Sequence, residues 1–169
     1  MIRSTKLFRI LTYVLLPVTG FFGLMGLLML LPALANPGLL LIVFMLACMV
    51  IYNFSSIQFL QKAIDGGRRC KPSLRDWIKV NGYVSLAAGG MFFLNAASIL
   101  FMGPVALQDF VGQALERQPG LPANMDPAFF IRLLKTVSVA ILLIGAALVT
   151  HVIICFRLLK QYKAYFDAE

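Results

Sequence analysis

Residues 39–60 read LLLIVFMLACMVIYNFSSIQFL, a run without a charged side chain. A helix rises ~1.5 Å per residue, so ~20 apolar residues cross the ~30 Å hydrocarbon core of a bilayer. Comparable stretches occur at Phe8–Leu34, Ile78–Phe101 and Leu133–Phe156. Four transmembrane helices are therefore predicted, packed as one domain over residues 1–169. The chain is 60% hydrophobic and 13% charged, and a soluble domain of this size cannot hide that much apolar surface. The fold class is an all-α membrane protein, a four-helix transmembrane bundle.

The first stretch has features of a secretory signal: basic Arg3, Lys6 and Arg9, an apolar run, and Ala33-Leu34-Ala35. Its apolar run exceeds the ~7–15 residues of a signal core, so an uncleaved first helix is expected.

Charge sets the expected orientation. Twelve of the 15 Lys and Arg residues lie on one side of the four spans: Arg3, Lys6 and Arg9, then Lys62, Arg68, Arg69, Lys71, Arg75 and Lys79, then Arg157, Lys160 and Lys163. Only Arg117, Arg132 and Lys135 lie on the other. The positive-inside rule puts the larger group, and both termini, in the cytoplasm. The basic side carries Asp65, Asp76, Asp167 and Glu169, and the other carries Asp109, Glu116 and Asp126, so the whole net charge of +8 is on the inner side. Anionic lipid head groups are the expected partners, at ~1 kcal/mol per well-placed cation. Their contacts should be Arg68, Arg69 and Lys71 in the basic loop 61–77, and Arg157, Lys160 and Lys163 in the tail 157–169. Nucleic acid is not expected, because topology accounts for the charge and no reading module accompanies it. The compact size and the lack of a eukaryotic anchor signal suggest a bacterial cytoplasmic membrane.

In span one, Pro17 should kink the helix, and Gly20, Gly23 and Gly26 make one side thin. Pro32 and Asn36-Pro37-Gly38 should end it, leaving a turn so short that spans one and two form an antiparallel hairpin. Asp65-Gly66-Gly67 is the expected turn after span two. Ser73-Leu74-Arg75-Asp76 resembles a capping box for span three, with Trp77 entering the head-group layer. Ser85 and Gly89 form a small-residue pair suited to close helix contact. In the outer loop, 103–126, Leu107, Phe110, Val111 and Ala114 recur at helical spacing against polar Gln108, Asp109, Gln113 and Glu116, which predicts a short amphipathic helix at the interface. Pro119-Gly120 and Pro122 should break it. Asp126-Pro127 marks the next helix start, and that helix should run to about Phe166. There is no internal repeat of the kind that builds inverted-repeat transporters.

No Asp, Glu, Lys or Arg falls in the middle of a span, and His151 is the one titratable group at depth. Asn53, Ser56, Asn81, Ser85, Thr12, Tyr13 and Thr150 should lie at similar or shallower inner depths. The principal candidates for an inner polar cluster are Asn53, Ser56, Asn81, Ser85 and His151. One reading makes them interhelical hydrogen bonds that fix packing, worth ~0.6 kcal/mol each on average. The other makes them an inward-facing pocket for a small polar molecule or a proton. One histidine without a nearby carboxylate is a poor relay, which favours the first. Asn95 should be a further interhelical bond.

No cofactor and no metal is expected. Bis-histidine haem needs two histidines, catalytic zinc takes three protein ligands, and a disulfide-forming enzyme needs paired outer cysteines. The three cysteines, Cys48, Cys70 and Cys155, form no CxxC pair. Cys70 sits in the basic loop, where cations can lower a thiol pKa, but a plain reduced loop thiol is expected rather than a redox role. Paired acids for metal-assisted phosphate chemistry are also missing. Gly66-Gly67-Arg68-Arg69 reads as a turn rather than an anion nest. The expected function is non-enzymatic: an accessory or assembly subunit whose partner is another membrane protein or a second copy. The alternative is a small transporter or channel with its pocket near His151.

Overall fold

The structure is a computed structural model that describes residues 2–117 and 126–166. Five α-helices carry the chain: α1 Ile2–Ala35, α2 Pro37–Phe59, α3 Pro72–Phe101, α4 Pro104–Glu116 and α5 Pro127–Gln161. A π-helical segment, Leu60–Asp65, prolongs α2, and a 3₁₀ turn, Lys163–Tyr165, follows α5. The four long helices are each long and apolar enough to cross a membrane: Ser4–Ala35, Pro37–Asp65, Pro72–Phe101 and Pro127–Gln161. At ~1.5 Å per residue all exceed the ~30 Å hydrocarbon thickness.

The helix starts follow from local chemistry. Asn36 alone separates α1 from α2; its Oδ1 accepts from Gly38 N at 3.1 Å, and Pro37 opens the helix. Asp126 does the same for α5, accepting from Ala128 N at 2.9 Å with Pro127 next. The predicted capping box at Ser73 is not used. Pro72 takes the first position of α3, where its fixed φ and missing N–H suit it, so Ser73 falls inside the helix and Lys71 precedes it without a side-chain cap. Asp76 instead lies 3.8 Å from Arg75 Nε. Pro32 likewise does not end α1, which runs on to Ala35. The last helix stops at Gln161, short of Phe166, and gives way to the 3₁₀ turn. The breakers Pro119-Gly120 and Pro122 lie outside the described residues.

The long helices pack in a ring, each against two neighbours: α1 on α2, α2 on α3, α3 on α5 and α5 on α1. Glycine sets the closest approach. A Cβ on Gly145 would lie 2.9 Å from the Gly89 carbonyl oxygen and 2.9 Å from Phe93 N, so backbone meets backbone between α3 and α5. Gly23 and Gly26 face Val50 and Leu46 of α2, whereas a Cβ on Gly20 would meet nothing. Helix α4 buries Leu107 and Val111, and its Phe110, Val111, Ala114 and Leu115 border a groove with Phe130 and Leu134 of α5. The amphipathic pattern is therefore satisfied in part by this chain itself.

The core is concentrated at the end that holds the 66–71 loop. Phe8, Phe59, Leu60, Ile78, Val152, Leu158 and Phe166 are buried there, and Phe59 touches the rings of Phe8, Tyr162 and Phe166. Toward the other end Leu27, Leu31, Leu34, Leu41, Leu94 and Phe101 are exposed. A bilayer makes that arrangement stable, since lipid tails solvate apolar side chains.

Candidate functional site

The one intramembrane histidine is enclosed by α1, α2 and α5. His151 is fully buried, with Phe8 stacked on its face at 4.7 Å and 10° and Tyr52 edge-on at 5.5 Å. Its two nitrogens meet two different helices: Nε2 lies 2.9 Å from Thr12 Oγ1, and Nδ1 lies 2.8 Å from the Tyr52 hydroxyl. The Thr12 hydroxyl donates to the Phe8 carbonyl at 2.8 Å, so it accepts from His151 Nε2–H. Nδ1 is then the acceptor for Tyr52 O–H, and this tautomer follows from the network. Every polar atom in this chain of bonds has a partner, and the chain ends on a backbone carbonyl that cannot pass a proton on.

Asn53 forms a second, smaller link. Its Nδ2 donates to Thr19 Oγ1 at 2.7 Å, and Thr19 donates to Leu15 O at 2.7 Å. Asn53 Oδ1 is buried without a hydrogen-bond partner. The other members of the expected cluster bond within their own helices. Ser56 donates to Asn53 O at 2.8 Å, Asn81 to Trp77 O at 2.9 Å, and Ser85 to Asn81 O at 2.7 Å. All three are buried. Thr150 and Tyr13 are exposed and stand apart. Asn95 bonds Met91 O of its own helix, so the interhelical bond expected there is replaced by a local one.

Thr12 was foreseeable by depth, but Tyr52 was hidden. It adjoins Asn53 in the polar segment, yet successive helical residues point ~100° apart. Only the closed ring of helices reveals that Tyr52 of α2 reaches across it to His151 of α5.

The basic loop builds a different feature. Gly67 has φ +57°, and Arg68 N donates to Lys62 O at 2.9 Å, a Schellman-type closure of the π-helical end. A Cβ on Gly66 would lie 2.9 Å from Gln61 O, so both glycines are needed. Cys70 N then donates to Tyr165 O at 2.8 Å, tying the loop to the 3₁₀ turn. Arg9 of α1 pairs with Asp65 at the same end. Burial pushes the Cys70 thiol above its ordinary range, outweighing the opposing pull of Lys62. The cations of the loop therefore do not lower this thiol's pKa.

Among the described residues, two of the cavities open at this end. The larger, about 660 Å³, lies between α2, the loop and the start of α3, and is bordered by Lys62, Arg68, Arg69 and Lys71 together with Phe54 and Trp77. The smaller, about 260 Å³, lies between α3 and α5 beside Arg75, Lys79, Tyr83, Phe156, Lys160 and Lys163. Five of the six expected head-group contacts thus border a cavity; Arg157 is exposed and borders neither. His151 borders neither of them. Among the described residues, no three His, Cys, Asp or Glu side chains converge as a metal-binding group. No protein-family model, curated protein or solved structure matches this chain.

Proposed function

We propose that this chain is a non-enzymatic multi-pass membrane protein that serves as an accessory or assembly subunit. Both termini and the 66–71 loop face the cytoplasm, and α4 lies at the outer interface. The observation that carries this reading is the bond pattern around His151. The one histidine is closed on both nitrogens by neighbouring helices and stacked under Phe8, which suits holding helices together. Catalysis or pumping would want a group open to a substrate or an ion path. The orientation rests on the basic residues of the 66–71 loop, α3 and the tail gathering at one end. Anionic head groups are the proposed contacts of Arg68, Arg69, Lys71, Arg157, Lys160 and Lys163. The exposed apolar flank of α1 and α2 leaves room for another membrane protein or a second copy.

The test is reversible cross-linking in native membranes followed by purification in mild detergent. A stoichiometric membrane partner or a defined homo-oligomer is expected. A monomer with no partner removes this reading. A second reading, a small transporter or channel, is favoured by Asn53 Oδ1, a buried acceptor that a small polar solute would satisfy. It predicts a flux in proteoliposomes that Asn53→Leu and His151→Ala abolish while the bundle stays folded.

A further inference from the structure

The 660 Å³ cavity does not end at the basic loop. Val50 and Ile51 border it, and the same two residues border a second groove of about 360 Å³ between α1 and α2. That groove is lined only by glycine and apolar side chains, among them Gly26, Leu30, Val43 and Ala47. The two grooves therefore adjoin at Val50 and Ile51 along one side of α2, in the manner of one amphipathic slot. One end has four cations and, among the described lining residues, no carboxylate, with Ser55, Gln58 and Ser73 adding neutral hydrogen-bonding groups. The other end has no charge.

We propose that this slot binds one anionic membrane lipid, its head group in the basic cavity and an acyl chain along α2 in the apolar groove. Charge complementarity selects the head group. The dimensions suit the whole molecule: Lys62 to Val43 is ~28 Å along the helix at ~1.5 Å per residue, enough for the head group and chain of one leaflet of a ~40–45 Å bilayer. The cations are also pre-positioned. Gly66 and Gly67 close the π-helical end, and the Cys70–Tyr165 backbone bond holds the loop that carries Arg68, Arg69 and Lys71. Less ordering is then needed when the lipid enters. The first turn of α3 borders the cavity through Ser73 and Leu74, with no side-chain cap of its own. Its positive helix end adds to the field of the side chains. A free phosphate would use the basic end alone and leave the adjoining groove without a role. The inference rests on the proposed placement of the basic end at the head groups, not on the accessory role.

The experiment is native mass spectrometry of the detergent-purified protein titrated separately with phosphatidylglycerol, phosphatidylcholine and glycerol phosphate. One phosphatidylglycerol per chain is expected, with phosphatidylcholine and glycerol phosphate held much more weakly. Arg68→Gln with Lys71→Gln should weaken phosphatidylglycerol roughly 10- to 30-fold, two cations at ~1 kcal/mol each. Ala47→Phe projects from an exposed position of α2 into the apolar groove. It should weaken phosphatidylglycerol and leave glycerol phosphate unchanged, and thermal melts of each variant confirm folding. Equal retention of the two phospholipids overturns the proposal. So does glycerol phosphate binding as tightly as phosphatidylglycerol, or wild-type retention by either variant. Maleimide labelling of Lys163→Cys reads the orientation independently, so failure of the orientation and failure of the slot give different results.

Discussion

At the scale of single residues, His151 and Asn53 look alike in sequence and differ in what they hold. Replacing His151 by alanine leaves the Tyr52 hydroxyl without its acceptor, removes the donor to Thr12, and opens a void under Phe8. We expect His151→Ala to cost about 2–4 kcal/mol, seen as a lower melting temperature in detergent. A double-mutant cycle with Tyr52→Phe should give a coupling of about 0.6–1.7 kcal/mol; zero coupling would argue against the bond. Asn53→Val should cost less than about 1 kcal/mol, because it removes an unsatisfied acceptor along with one bond. Cys70 supplies a third test. Its raised pKa means less thiolate at pH 7.5 than an ordinary cysteine has, so maleimide should label it more slowly in the folded protein than after denaturation. The sign also bears on stability. The folded state holds this proton more tightly, so the contribution is full below the unfolded thiol pKa and is lost as pH rises through the folded one.

At the scale of elements, glycine contacts decide which helices touch. Gly145→Ala would push a methyl group into the Gly89 carbonyl and the Phe93 backbone, neither of which can rotate away. We expect a loss of about 1–3 kcal/mol, measured by thermal unfolding, while Gly20→Ala changes little because nothing lies within 4 Å of its Cβ. Equal effects at the two positions would refute the packing assignment. The starts of α2 and α5 were legible from Asn36-Pro37 and Asp126-Pro127, because caps are local chemistry. The start of α3 departs from the local pattern, since Ser73-x-x-Asp76 competes with Pro72 for the same end and proline at the first position prevails. The π-helical end of α2 had no local signal beyond the two glycines that follow it.

At the scale of the whole molecule, the proposed orientation predicts two labelling results. With a membrane-impermeant maleimide, Gln113→Cys on α4 should react in intact cells, and Lys163→Cys only after lysis. The reverse pattern would invert the topology. The length and apolarity of four helices were set by sequence alone, because crossing hydrocarbon needs nothing more than enough consecutive apolar residues. The gathering of cations between and beyond those helices was equally legible, since connectivity places alternate connections at the same end. Tertiary structure decided what the polar residues do. Thr12, Tyr52 and His151 are far apart in sequence, and only the helix ring and the rotation of each helix bring their side chains within 3 Å. The same holds for the slot along α2: α1, α2, the loop and α3 each contribute part of its wall, and no one segment carries its outline. Membrane residence is a property of individual helices and can be read one helix at a time. A binding surface is a property of their relative placement, which packing alone determines.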